Sequence, residues 1–155
     1  MANIEIGKTI PAFTVKTTGA QTLTSGDLQG RNVVLYFYPK DATPGCTTEG
    51  QNFRDTYDQF QALDTEIFGV SRDSLASHEK FKTKQDFPFE LIADTDEKLC
   101  QLFDVIKEKN MYGKKVMGIE RSTFLIDKTG KLVQAWRKVR VPGHVDTVLE
   151  AVKAL

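Results

Sequence analysis

The sequence predicts an α/β protein in which helices flank a central mixed β-sheet, and three observations support this prediction. Val33–Tyr38 and Thr65–Ser71 are apolar runs rich in β-branched and aromatic residues, as expected of strands buried on both faces. Between them, Phe53, Tyr57 and Phe60 recur at helical spacing, which gives a parallel βαβ unit with a right-handed crossover. Towards the C-terminus, two further apolar runs flank a turn and precede an amphipathic helix.

Turn residues and capping residues define the elements on either side of the βαβ unit. Pro11–Val15 alternates weakly and is expected to be an edge strand, and Gly19 and Gly26 mark turns after it. Ser74 is a residue type that caps helices, and an apolar helical face follows it. That face consists of Leu75, His78 and Phe81.

The next part of the chain contains a short strand, a helix and a polar segment. Phe89–Ile92 is predicted as the strand, and Asp94 or Asp96 as the cap of the helix. The apolar residues of this helix are Leu99, Leu102 and Phe103. Lys107–Met117 is polar, contains one glycine and is expected to be a loop.

A hairpin and a helix end the chain. Ser122–Ile126 and Leu132–Trp136 flank the turn sequence 127–130 and are predicted to pair antiparallel, with Trp136 in the core. The last helix has apolar residues at a spacing typical of a face packed on the core. They are Val145, Val148, Leu149, Val152 and Leu155. A length of 155 residues suits one hydrophobic core, so residues 1–155 are predicted to form a single domain.

Cys46 lies where the turn after the first buried strand meets the predicted helix. Pro39, Pro44 and Gly45 make this turn sharp and leave the cysteine at the helix N-terminus. A helix N-terminus carries about half a positive charge and unpaired N–H groups, and both favour the thiolate, which is the reactive form of cysteine. Because threonines rather than leucines or valines surround Cys46, the sequence predicts a reactive sulfur. A partly exposed loop cysteine without function is the alternative.

Pro39, Thr43 and Cys46 have the spacing Pro-x-x-x-Thr-x-x-Cys, which resembles the active-site signature of the peroxiredoxins, thiol-dependent peroxidases of thioredoxin fold. The longer string from residue 36 to Glu49 is similar to their bacterioferritin-comigratory-protein branch, also called the Q type. Supporting segments are 68–73, 93–105 and 121–127. The resemblance implies a single thioredoxin-like domain, which agrees with the predicted order of elements.

The resemblance also implies a role for each residue of the site. The Cys46 thiolate would reduce hydrogen peroxide and organic hydroperoxides and become a sulfenic acid. Thr43 and Arg121 match the threonine and arginine that hydrogen-bond the sulfur and the peroxide oxygens in the family. Pro39 would shield the sulfur from water, and Glu49 would orient the arginine. Without the resemblance, Arg121 would be interpreted as a strand-edge cation. No metal or organic cofactor is implied.

The second cysteine of the chain, Cys100, is predicted to be a packing residue. Many Q-type relatives have a resolving cysteine five residues after the first, and Gln51 occupies that position here. Cys100 lies on an apolar helix face, where a free cysteine behaves as a small hydrophobe. We therefore expect a one-cysteine mechanism in which glutathione, glutaredoxin or thioredoxin reduces the sulfenic acid. A Cys46–Cys100 disulfide formed after local unfolding is the alternative.

Charge and motif content weigh against several other classes of protein. The formal net charge is zero, and no nucleic-acid-binding motif is present, so attraction to nucleic acid or membrane is not expected. Residues 105–140 have a charge balance of +7 and the remainder −7, which is typical of a solvated face; guidance of anionic peroxides or of an acidic reductant is the functional alternative. The two cysteines, His78 and His144 lack zinc-ligand spacing. We interpret His78 as a helix-face residue and His144 as a helix-cap residue.

Two other functions stay open at this point. A thioredoxin-type disulfide reductase needs a Cys-x-x-Cys pair, and Glu49 occupies the second cysteine position. A non-catalytic interaction module of the same fold is the third reading. Two cysteines indicate a reducing compartment, and the N-terminus lacks a secretion signal, so we expect a cytoplasmic protein. Q-type relatives are often monomers, which implies a monomer here.

Overall fold

The computed structural model describes residues 4–155. In chain order its elements are β1 (Thr14–Thr17), β2 (Gln21–Thr24), a 3₁₀ turn (Ser25–Leu28), β3 (Asn32–Phe37), α1 (Pro44–Ala62), β4 (Thr65–Ser71), α2 (Leu75–Gln85), β5 (Glu90–Ala93), α3 (Lys98–Leu102), β6 (Ile106–Met111), β7 (Lys114–Ile119), β8 (Ser122–Ile126), β9 (Leu132–Trp136) and α4 (His144–Lys153).

A mixed sheet forms the centre of the molecule. Seven strands pair in the order β2-β1-β5-β4-β3-β8-β9. The strands of the βαβ unit, β3 and β4, are parallel, and β5 continues parallel to β4. The hairpin strand β8 is antiparallel to both β3 and β9. The predicted βαβ unit, C-terminal hairpin and closing helix are confirmed, and the strands of the unit and of the hairpin belong to one mixed sheet.

The sheet separates two hydrophobic clusters. Side chains of a strand point alternately to opposite faces, so β3 contributes to both clusters. Val33, Leu35 and Phe37 pack on the face covered by α3, and this cluster includes Cys100. The alternate residues of β3 pack on the face covered by α1 and α4, and that cluster includes Cys46. The two cysteines therefore belong to opposite sides of the sheet.

The prediction of a loop at Lys107–Met117 is wrong. β6 and β7 pair antiparallel as a separate two-stranded ribbon, joined by Tyr112 and Gly113. Both joining residues have positive φ, 53° and 79°, as a tight hairpin turn requires. Most side chains of the ribbon are exposed, so the apolar alternation that marks a half-buried strand is missing from its sequence.

The positions of β1 and of the end of α4 also differ from the prediction. The strand expected at Pro11–Val15 is Thr14–Thr17, and β1 lies between β2 and β5, so β2 rather than β1 is the edge strand on this side of the sheet. The polar residues of β2 carry little hydrophobic signal because its side chains are exposed or half-buried. Leu155 follows the end of α4 and is 52 % exposed, so it is not part of the core face of that helix.

The prediction for Ser74 is confirmed, and Asp94 binds the first turn of α3 although Glu97 is the N-cap residue of that helix. The prediction for His144 is wrong, because Gly143 is the N-cap residue of α4 and His144 is its first helical residue. The Ser74 hydroxyl accepts a hydrogen bond from the Ser77 amide at the start of α2. The Asp94 carboxylate accepts from the amides of Leu99 and Cys100, at 2.9 and 2.7 Å, in the first turn of α3. Within residues 4–155, no helix combines the length and the apolar character needed to cross a membrane.

Candidate active site

The loop between β3 and α1 brings Cys46 to the start of a helix. Pro39 is half-buried at the beginning of the loop, and Ala42 adopts the left-handed conformation with φ 63°. Thr43 is the extended N-cap residue, Pro44 is the first helical residue, and Cys46 is in the first turn. Proline is favoured at a first helical position because its missing N–H would have no partner there. The predicted location of Cys46 at the N-terminus of α1 is confirmed.

The Cys46 sulfur is more deeply enclosed than its threonine neighbours suggest. The residue is 1 % exposed and belongs to a cluster with Tyr36, Phe53 and other apolar residues. The threonines beside it in sequence point elsewhere, because a helix directs consecutive side chains to different sides. The cysteine is thus not a loop residue in solvent, and although it lies among apolar side chains, a cation reaches its sulfur.

Arg121 provides that cation from the segment between β7 and β8. Its Nη2 lies 3.3 Å from the Cys46 sulfur, and its Nη1 donates to Glu49 Oε1 at 2.7 Å. Burial lowers the pKa of Arg121, but the negative charges of Glu49 and Cys46 outweigh it and raise that pKa overall. Gly45 leaves room for this contact, since a Cβ on it would lie 3.2 Å from Nη2. One planar guanidinium therefore joins Cys46 and Glu49.

Glu49 is a buried carboxyl with one oxygen in use. It is fully buried, Oε1 accepts from Arg121, and Oε2 has no hydrogen-bond partner in the described part of the chain. Burial raises its pKa to about 7, and the Arg121 guanidinium opposes this rise. The predicted contact between Glu49 and Arg121 is present, and the structure shows that it brings an ionisable carboxyl into the core.

We expect the Glu49→Gln variant to gain stability over the wild type as the pH increases from 4.5 to 8. A carboxyl whose pKa is raised from 4.5 to about 7 by folding stabilises the folded state only while it is protonated. That contribution is complete below pH 4.5 and is lost as the pH rises through about 7, a loss of about 3 kcal/mol. Glutamine resembles the protonated carboxyl and lacks this loss.

The free energy of unfolding of both proteins is measured with denaturant at pH 4.5 and at pH 8. The contributions of the other titrating groups cancel when the variant is compared with the wild type. Glu150→Gln, at an exposed position of α4, is the control and should follow the wild type. Equal pH dependence of the Glu49→Gln variant and the wild type would contradict the assignment of a buried, proton-binding Glu49.

Thr43 and Pro39 are close to Cys46 in the sequence. In the described residues, 4–155, neither of them makes a hydrogen bond to the sulfur. The Thr43 hydroxyl donates to the Lys40 carbonyl at 2.8 Å, and the Thr43 carbonyl accepts from the Thr47 amide at 2.9 Å. The hydroxyl therefore shapes the loop while its lone pairs stay available as acceptors. The structure thus joins Cys46, Arg121 and Glu49 by direct contacts and leaves Thr43 and Pro39 as loop residues beside them.

Two features of the site were not found from the sequence. The Lys109 side chain, from β6, donates to the Ile119 carbonyl and lies close enough to Arg121 for their charges to interact. Burial and Arg121 lower the pKa of Lys109. The other feature is a buried polar network between the loop residue Asp41 and His78 of α2. A signal for it exists in hindsight, because a histidine on the apolar face of α2 needs a polar partner.

Comparison with known proteins identifies what this geometry resembles. Residues 6–135 match the model of the AhpC/TSA family. Peroxiredoxin Bcp of Xanthomonas campestris is 61% identical over 125 residues, which cover 81% of this chain and 78% of the relative. Peroxiredoxin Bcp of Bacillus subtilis is 51% identical over 150 residues, with 97% and 96% of the two chains covered.

Solved structures give the same result. A structure of Xanthomonas campestris peroxiredoxin Q superposes with a TM-score of 0.90 at 52% identity, covering 99% of this chain and 97% of the other. A cysteine-to-serine mutant of PrxQ from Xylella fastidiosa gives a TM-score of 0.92 at 48% identity, covering 97% and 96%. The predicted thioredoxin-like fold and the predicted Q-type resemblance are confirmed.

Proposed function

The chain belongs to the AhpC/TSA family and is a peroxiredoxin, a thiol-dependent peroxidase, and from this premise we propose that Cys46 is its peroxidatic cysteine. The observation that carries the proposal is the 3.3 Å contact between Arg121 Nη2 and the Cys46 sulfur, in the first turn of α1. A guanidinium and a helix N-terminus both favour a thiolate at this point. Of the two cysteines, Cys46 has this environment and Cys100 does not.

The geometry suits the attack of a thiolate on a hydroperoxide. The Cys46 thiolate attacks the terminal peroxide oxygen, an S–O bond forms, and the O–O bond breaks. The electron pair of the O–O bond goes to the second oxygen, which takes a proton and departs as water or alcohol. Arg121 and the first-turn N–H groups of α1 are fixed in place to stabilise the charge that develops in this step. Pro39 and Thr43 contribute by shaping the loop that encloses the sulfur.

Regeneration requires a reductant from outside the chain. A first external thiolate attacks the sulfenic sulfur and releases hydroxide, which is protonated to water, to give a mixed disulfide. A second thiol then displaces the Cys46 thiolate from it. Gln51 occupies the position of a nearby resolving cysteine, and its amide donates to Gln85 at 2.9 Å. Glutathione, glutaredoxin or thioredoxin supplies the thiols. The proposal includes a monomeric enzyme in the cytoplasm, where such thiols are kept reduced.

Peroxide consumption with dithiothreitol as reductant tests the proposal. Loss of hydrogen peroxide or of an alkyl hydroperoxide supports a peroxidase, whereas reduction of insulin disulfides without peroxide loss would support a disulfide reductase. If the protein shows neither activity, it is interpreted as a non-catalytic interaction module. No observation on the site favours either alternative, since Glu49 replaces the second cysteine of a reductase motif.

We expect Cys100→Ala to turn over peroxide within about twofold of the wild type. Cys100 is fully buried on the opposite side of the sheet from Cys46, and burial, together with Asp94, raises the pKa of its thiol. A sulfur so placed is protonated and remote, so it does not resolve the sulfenic acid. Mass analysis of non-reduced, oxidised protein should find no intramolecular disulfide. A stoichiometric Cys46–Cys100 bridge after one equivalent of peroxide would contradict the one-cysteine mechanism.

We expect Thr43→Val to slow the oxidation of Cys46 by about tenfold. Valine keeps the branched shape but removes the hydroxyl that holds the Lys40 carbonyl at 2.8 Å and that offers an acceptor beside the site. Stopped-flow oxidation by hydrogen peroxide measures the rate. Thr48→Val is the control, because it removes a similar 3.0 Å hydrogen bond, to the Pro44 carbonyl, on an exposed side of the same helix. Equal rates in the two variants would contradict a role for the Thr43 hydroxyl.

A further inference from the structure

A buried polar network connects the loop that carries the site to α2. Asp41 Oδ1 accepts from the Tyr38 hydroxyl at 2.6 Å, and Oδ2 accepts from the Ser77 hydroxyl at 2.8 Å. His78 Nδ1 lies 2.8 Å from Asp41 Oδ2, and His78 Nε2 lies 2.9 Å from the Ile92 carbonyl of β5. His78 has no exposed surface, and Asp41 is buried. The network thus links a loop, a helix and a strand.

Both ring nitrogens of His78 make hydrogen bonds. A carbonyl oxygen can only accept, so Nε2 carries a hydrogen towards Ile92. Nδ1 shares a hydrogen bond with Asp41 Oδ2, the oxygen that also accepts from the Ser77 hydroxyl. Burial opposes the charge of Asp41, but the bonds from His78, Tyr38 and Ser77 outweigh it, and the pKa of Asp41 is lowered. The His78 ring is thus held at both nitrogens, between the Asp41 carboxyl group and the Ile92 carbonyl.

The same network holds a loop that is otherwise strained. Ala42 has φ 63°, a left-handed conformation that costs a residue with a Cβ about 1 kcal/mol. The neighbouring Asp41 is fixed at both ends, since its amide donates to Asp73 Oδ2 at 2.9 Å while its carboxylate binds His78. From Asp41 the chain passes through Ala42 and Thr43 directly into the first turn of α1, where Cys46 lies.

We propose that the His78–Asp41 pair is a positioning device that holds residues 39–43, and with them the first turn of α1, in the arrangement in which Cys46 reacts. The inference rests on the proposed function of Cys46. Neither residue contacts the sulfur, so both act through the loop. Asp41, Asp73 and His78 are also close enough together to suit a metal ion, but the two imidazole nitrogens and both Asp41 oxygens are already engaged with protein groups. The structure thus assigns them to a hydrogen-bond network.

Two amide substitutions at position 78 separate the two bonds of the imidazole. In His78→Asn, the amide nitrogen comes nearest to the position of Nδ1, so the bond to Asp41 can be kept. In His78→Gln, the longer side chain places its nitrogen nearest to Nε2, so the bond to Ile92 can be kept while Asp41 is released. The two variants lose the same ring, and they differ in the contact that the proposal requires.

Alkylation of Cys46 by iodoacetamide reports on the loop without any peroxidase activity. Because Cys46 is 1 % exposed, the reagent reacts only when the loop or the first turn opens. We expect His78→Gln to increase the alkylation rate and to decrease the peroxide oxidation rate, each by about tenfold, and His78→Asn to stay within about threefold of the wild type. Unequal stability alone would not move the two rates in opposite directions, and denaturant unfolding measures it separately.

The outcomes distinguish this inference from the proposed function. Equal alkylation rates in the wild type and in folded His78→Gln would overturn the positioning role, whatever the peroxidase activity. A wild type that alkylates slowly but consumes no peroxide would instead overturn the function of Cys46. If both position-78 variants fail to fold, Ser77→Ala decides, since it removes one bond to Asp41 Oδ2 from a half-buried side chain. Alkylation about threefold faster in Ser77→Ala supports the proposal, and an unchanged rate overturns it.

Discussion

Cys46→Ser is expected to abolish thiol-dependent peroxide consumption and to leave the fold intact. A serine hydroxyl is not ionised at neutral pH, and it cannot form the sulfenic acid through which the reaction passes. Consumption of hydrogen peroxide with dithiothreitol should therefore fall to the rate measured without enzyme. Cys100→Ala is the matched control, because it removes the other cysteine thiol of the chain and should keep its activity.

The contacts of Cys46 explain why the serine variant should stay folded. The sulfur is buried and accepts from Arg121, and a serine oxygen can accept the same hydrogen bond, so the guanidinium is not left unpaired. We expect the free energy of unfolding to change by about 1 kcal/mol or less, as measured by denaturant unfolding. Substantial turnover in a folded Cys46→Ser variant would show that another group reduces the peroxide.

The elements that position Cys46 could be predicted from the sequence. β3 and β4 are buried on both faces, so their apolar runs are continuous and easily recognised, and α1 between them has a clear apolar face. Proline and glycine then locate the turn at which the helix begins. Local sequence was sufficient here because burial, periodicity and turn chemistry all indicate the same arrangement.

The remaining part of the site depends on contacts distant in the sequence. Arg121 meets a sulfur 75 positions earlier in the chain, and His78 meets Asp41 across 37 positions. Their residue types alone suggest a strand-edge cation and a helix-face residue, and the resemblance supplied the role of Arg121 but not that of His78. The ribbon of β6 and β7 was missed for another reason, since most of its side chains are exposed and its sequence lacks a hydrophobic period.

The topology explains why these distant residues meet at one place. Parallel strands β3 and β4 end at the same edge of the sheet, and in open α/β sheets this edge is where ligands bind. The loop after β3 carries Asp41, Asp73 lies two residues beyond the end of β4, and α1 begins with the turn that holds Cys46. β8 runs antiparallel beside β3, so its first residues, next to Arg121, reach the same edge.

Arg121→Lys is expected to lower the rate of Cys46 oxidation by about a hundredfold, which corresponds to about 3 kcal/mol of transition-state stabilisation. Lysine keeps the positive charge but loses the planar group that contacts Cys46 and Glu49 at the same time, at 3.3 and 2.7 Å. Its single ammonium can compensate the buried Glu49 carboxylate or approach the sulfur, but it cannot hold both in fixed geometry.

Arg137→Lys provides the matched control for this substitution. The Arg137 guanidinium also makes two hydrogen bonds, to the carbonyls of Asp104 and Phe103 at 2.9 Å each, and it lies over the Phe124 ring on the opposite side of the sheet from Cys46. Stopped-flow oxidation should give a wild-type rate for Arg137→Lys. A near wild-type rate in Arg121→Lys as well would mean that positive charge alone, rather than a fixed two-point contact, supports the reaction of Cys46.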